Sequence, residues 1–139
     1  MVAYSFQPCF VQPILDGAKR QTIRADRRRH ARPGEELQLY TGMRTKHCKL
    51  IARKTCLNVL PVMLWLMDGK VFIGGALGTY YGDGFDKTLD SFARLDGFSS
   101  WTELTAFWAK HFPGANKFSG VLITWEAARS FRRGSPDDG

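Results

Sequence analysis

The chain predicts an α+β domain: a small, mainly antiparallel β-barrel with flanking helices. Three observations predict it. Short alternating or β-branched runs fill the first half, a pair of helical patterns follows near residues 86–112, and one strand-like run closes the order at residues 118–125. There is no strand–helix–strand alternation, so a doubly wound parallel sheet is not expected. The length, 139 residues, matches one domain. The expected organisation is a single domain over residues 1–126 and a flexible C-terminal tail over residues 127–139.

Ala3-Tyr4-Ser5-Phe6 reads as a first strand, ended by Pro8. A short helix or turn from Cys9 to Leu15 should bury Phe10, Val11, Ile14 and Leu15, and Gly17 suits a left-handed helix end. Gln21-Thr22-Ile23-Arg24 alternates with β-branched residues and reads as strand. Pro33-Gly34-Glu35 is a turn before the strand Leu37 to Thr41, and His47 to Leu60 reads as a long strand. Val62 to Leu66 and Val71 to Ile73 flank Asp68-Gly69, a hairpin signal. Residues 74–84 read as a glycine-rich loop whose Tyr80 and Tyr81 could pack or stack on bases. Asp86 to Leu95 is amphipathic, with Asp86 a candidate start and Gly97 the end. Ser100-Trp101-Thr102-Glu103 is a capping box for a helix whose buried stripe is Trp101, Leu104, Trp108 and Phe112.

Charge is distributed unevenly. Residues 1–56 carry 12 lysines and arginines against 4 acids, a surplus of +8, within a net charge of +7 for the whole chain. Residues 41–56 hold five basic residues and no acid. Such a concentration is the electrostatic footprint of a polyanion partner. The candidate phosphate contacts are Arg20, Arg24, Arg27, Arg28, Arg29, Arg44 and Lys46. The apolar run at residues 59–67 is far shorter than the ~20 residues a membrane span needs. The start lacks a signal-peptide pattern. A cytoplasmic, monomeric enzyme or binding module without membrane association is therefore the expectation.

Cys9, Cys48 and Cys56 form an odd set with no CxxC spacing, which points to free thiols in a reducing compartment. His30, His47 and His111 do not fall at ligand spacing with them, so no metal site is expected. No Gly-rich phosphate loop is present, and no cofactor is expected.

The stretch Gly17-x-Lys19-x-x-Thr22-Ile23-Arg24, the turn Pro33-Gly34-Glu35 before a strand, and Ala93-x-x-Asp96-Gly97-Phe98 running into a helix together resemble the ASCH domain family. The resemblance covers residues 4–126. It implies a PUA-like barrel and an RNA-binding or coactivator-associated module. Some small bacterial members are amidohydrolases of N(4)-acetylcytidine, and one branch is described as a ribonuclease. By that resemblance Lys19 and Thr22 match the first two catalytic positions, and Asp96 falls where the family has glutamate.

The expected function is binding of RNA, another single-stranded nucleic acid or a modified nucleoside in a basic cleft. The alternatives are a hydrolase using Lys19, Thr22 and Asp96 on acylated cytidine or RNA, and a protein-interaction adaptor acting through the loop at residues 74–84. Thr22 needs a base to become a nucleophile, and Lys19 can be that base only if burial or cationic neighbours such as Arg20 and Arg24 lower its pKa.

Overall fold

The computed structural model describes residues 2–25, 29–74, 79–81 and 88–126. Strand β1 spans Val2–Phe6, and a 3-10 turn at Pro8–Phe10 leads into helix α1, Val11–Asp16. Strands β2 (Gln21–Arg24), β3 (Glu36–Thr41), β4 (Lys49–Trp65), β5 (Lys70–Ile73) and β6 (Thr79–Tyr81) follow. Helices α2 (Leu89–Leu95) and α3 (Trp101–His111) precede the last strand, β7 (Lys117–Trp125). The architecture is α+β, with one mixed and mostly antiparallel sheet. No helix among the described residues is long and apolar enough to cross a membrane.

The long strand β4 organises the sheet. Its first part pairs with β3 and its second part with β7 and β5, all antiparallel. Among the described residues the one parallel pair is β1 with β3, and β2 pairs with the other edge of β7. A barrel was the expectation from sequence, and here the sheet departs from it: among the described residues no ladder joins β1 to β2. Side chains fill that seam instead. Arg24 reaches from β2 to the Ser5 carbonyl at 2.7 Å.

The two expected strands at residues 47–60 and 62–66 are one continuous strand. A bulge between Cys56 and Asn58 absorbs the change of partner, and Pro61 stays inside the strand with its carbonyl accepting the Gly74 N–H. The hairpin signal at Asp68-Gly69 stands, with Gly69 at φ 68° and Trp65 opposite Lys70.

Tyr4, Ile14, Leu37, Leu39, Leu64, Val71, Phe92, Leu104 and Ile123 form the centre of the core. Burying each such side chain contributes about 1.5–3 kcal/mol. Three expected core residues lie outside it, and of these Val11 is half-buried. Leu15 is 52% exposed because α1 is only two turns long and offers one face. Phe112 is 50% exposed because α3 ends at His111, so the stripe stops at Trp108.

Thr88 caps α2 and Ser91 completes the box; Asp86, the expected cap, lies outside the described residues. Ser100 caps α3 by accepting the Glu103 N–H, while the Glu103 carboxylate accepts from Ser99 rather than Ser100. The tail at residues 127–139 and most of the loop at residues 74–84 also lie outside the described residues, as do the side chains of Tyr80 and Tyr81.

Candidate functional site

Two crossing segments build the site. The first is the exit from α1. Gly17, at φ 83°, closes the helix in the left-handed conformation a side chain disfavours. The Lys19 N–H then donates to the Pro13 carbonyl, and the Arg20 N–H to the Leu95 carbonyl at 2.8 Å. Arg20 also accepts from the Trp125 N–H at 3.0 Å. These bonds pin residues 18–20 between the end of α2 and the end of β7, which sends Lys19 inward.

The second segment is the end of α2. Asp96 is its C-cap, and Gly97 follows at φ 99°. A Cβ on Gly97 would lie 3.0 Å from Lys19 Cδ and 3.2 Å from the Phe10 ring. Glycine is required there by backbone conformation and by the closeness of the lysine stem. A carboxylate at a helix C-terminus runs against the helix dipole by about 0.3–1 kcal/mol.

Lys19 is 2% exposed, Thr22 5% and Asp96 5%. The Lys19 ammonium donates to the Asp96 backbone carbonyl at 2.5 Å and stands 3.7 Å from Asp96 Oδ1. That separation is beyond hydrogen-bond reach, and among the described residues nothing donates a hydrogen bond to buried Oδ1. The ammonium also lies 4.6 Å from the centre of the Phe10 ring and 5.6 Å from that of Phe6. Thr22 Oγ1 accepts from Arg24 Nε at 3.1 Å, and the Arg24 guanidinium rests on the Phe6 and Tyr4 rings.

Burial dominates the electrostatics. It pushes the Lys19 pKa down; the Asp96 charge works against this, and the Arg24 charge adds to it. Burial pushes the Asp96 pKa up, opposed chiefly by the Lys19 charge. Each partner is driven toward its neutral form.

The set opens into a cavity of about 280 Å³ along the β1–β2 seam. Its polar lining includes Lys19, Thr22, Arg24 and Asp96, and its walls are aromatic: Phe6, Phe10, Phe98, Phe107 and Phe118. The volume lies at the lower edge of the ~300–1,000 Å³ common for small-molecule pockets.

The structure thus brings Lys19, Thr22, Asp96 and Arg24 together and places Arg20, Arg29, Arg44 and Lys46 elsewhere. Arg20 is exposed and lines a separate depression beside Arg94 and Glu103. Arg29 donates to Glu35 at 2.6 Å. Arg44 and Lys46 are exposed on the β3–β4 hairpin loop. That loop leaves the Thr41 end of β3, whose hydroxyl donates to the Phe6 carbonyl at the cavity wall. Arg27 and Arg28 lie outside the described residues. Among the described residues no group of three or more His, Cys, Asp or Glu side chains could hold a metal ion.

Sequence reasoning missed Gln7, Phe10, Phe98, Phe107 and His111 as lining residues. It also missed Gln21, a buried amide beside the set whose Nε2 lies 3.5 Å from the Phe92 carbonyl. The aromatic content was the available signal, but helical spacing assigned Phe107's neighbours to the core alone. No protein-family model, curated protein or solved structure matches the chain.

Proposed function

We propose that the chain is an ASCH-type, PUA-like domain whose cavity takes up a nucleobase, as a modified nucleoside or as an unstacked base of single-stranded RNA. One observation carries the reading: a lysine and an aspartate, both more than nine-tenths buried, meet at 3.7 Å on the floor of an aromatic-walled cavity. Flat apolar walls suit a planar ring, and the few polar groups at one end suit its hydrogen-bonding edge. The exposed Arg44 and Lys46, on a loop rooted beside Phe6, suit the phosphates of a polymer.

A second reading is supported by the direction of the Lys19 shift. An amine driven toward neutrality can take the Thr22 hydroxyl proton while Oγ1 attacks an amide carbonyl. The amine leaving group then takes that proton from Lys19, and water releases the acid from the threonine ester. Arg24, already on Thr22 Oγ1, would stabilise the developing alkoxide.

The test is incubation of the purified chain with N(4)-acetylcytidine and, separately, single-stranded RNA, following both binding and product. Saturable nucleoside binding, or RNA binding that weakens steeply with salt, is the expected result. Product formation lost in both Lys19→Ala and Thr22→Ala supports the hydrolase. No binding of either ligand at low salt refutes the proposal.

A further inference from the structure

The cavity has a second polar pair at its rim, remote from Lys19 and Asp96 in sequence. His111 Nδ1 lies 2.9 Å from the Phe107 carbonyl, which can only accept, so Nδ1 carries the proton. In the neutral ring Nε2 is then an acceptor. It faces the Gln7 amide nitrogen at 2.8 Å, and Gln7 donates to it. The tautomer and the orientation of the amide are set by this network.

The His111 ring stacks on Phe107, centroids 4.2 Å apart and 29° from parallel. Phe107 in turn meets Phe10 at 5.4 Å and Phe98 at 5.3 Å, and Phe10 lies under the Lys19 ammonium. A continuous aromatic wall therefore runs from the buried lysine to an exposed imidazole. Both Gln7 and His111 line the cavity and both are exposed.

We infer that Gln7 and His111 are specificity-determining residues of this cavity. His111, held flat on Phe107, extends the stacking wall for a planar ring. The Gln7 amide, held by His111, presents an oxygen and an N–H to that ring's polar edge. The inference rests on the nucleobase reading above and adds its outer half. The stack on Phe107 and the bond to its carbonyl are contacts one helical turn apart, which the end of α3 makes for itself; the ring's place at the cavity mouth is what turns it toward a ligand.

The experiment is calorimetric titration of the full chain with cytidine, uridine, adenosine, guanosine and N(4)-acetylcytidine. It compares wild type with His111→Ala, His111→Phe, Gln7→Ala and Lys19→Met, and records a thermal melt of each. For whichever nucleoside binds wild type, His111→Ala is expected to weaken binding about tenfold or more, as loss of a stacking partner does. His111→Phe, which keeps the stack, should stay within about threefold of wild type. Gln7→Ala should change the ratio of affinities among the nucleosides, with melting temperatures unaltered. An affinity in His111→Ala equal to wild type, with Lys19→Met still losing binding, overturns this inference and leaves the nucleobase reading standing. Absence of binding by wild type overturns both.

Discussion

Lys19 and Asp96 can be tested as a pair, using Lys19→Met, Asp96→Asn and the double variant. At 3.7 Å and an effective dielectric near 20, their attraction is about 4 kcal/mol. Desolvating each ion costs several kcal/mol, so the intact pair roughly breaks even against neutral residues of similar shape. Removing one partner is different, because it leaves a buried charge with no compensation. Either single variant should lose about 3 kcal/mol, softened where the remaining group sheds its charge. The double variant should return to within about 1 kcal/mol of wild type, since Met keeps the stem against Phe10 and Asn keeps the shape at Asp96. Urea unfolding of the four proteins at pH 7 measures this as a coupling energy. Additive losses, or a Lys19→Met protein as stable as wild type, would refute the argument. A stable double variant that binds no nucleoside would show that the pair serves the cavity rather than the fold.

The difference in stability between wild type and that double variant should trace a trough with pH. The folded pKa of Asp96 lies above its unfolded value, so protonated Asp96 favours folding; that contribution is present below about pH 4 and is lost as pH rises through the folded value. Lys19 is shifted the other way, so wild-type stability recovers as pH rises from the folded lysine pKa toward about 10.4. Urea unfolding at a series of pH values checks both limbs, and a flat difference would contradict the two directions. Gly97→Ala should cost about 2 kcal/mol or more, from the left-handed φ and the 3.0 Å approach to Lys19 Cδ, and a melting curve reads it. If RNA binds, the Arg44→Ala/Lys46→Ala double variant should reduce the slope of log affinity against log salt by about one to two, seen in titrations at several salt concentrations. Arg29→Ala should cost no more than about 1 kcal/mol in stability, because its pair with Glu35 is largely exposed on the arginine side.

Local chemistry made much of the fold legible. The strand Gln21–Arg24, the left-handed Gly17 and Gly97, and the hairpin at Asp68-Gly69 follow from residue conformation alone, and each lies where its residues indicated. Long-range features were less accessible. Nothing within Lys49–Trp65 shows that one strand serves three partners, because the bulge at Cys56 to Asn58 depends on how β3 and β7 meet it. The pairing of Lys19 with Asp96 was indicated by motif order, yet their burial depends on Phe10 and Gly97 closing over the lysine. The Gln7–His111 contact joins residues 104 apart, and neither residue type marks the other.

The open seam explains why the cavity lies where it does. Closing β1 onto β2 by backbone pairing would draw the strands to about 4.8 Å and leave no room between them. Ser5, Phe6 and Gln7 on one side, and Thr22, Ile23 and Arg24 on the other, line the cavity because that pairing is absent among the described residues. Arg24 compensates by bridging the gap to Ser5 while its plane covers Phe6 and its Nε holds Thr22. Its guanidinium is thereby committed to protein groups, which argues against the phosphate contact expected from the sequence and for a role in holding the seam at a fixed width. Arg24→Lys should disturb this more than its conserved charge suggests, because an ammonium cannot span two acceptors in a fixed fork. The expected result is weaker nucleoside binding with a small change in melting temperature, and wild-type affinity in that variant would show that the seam holds without the fork.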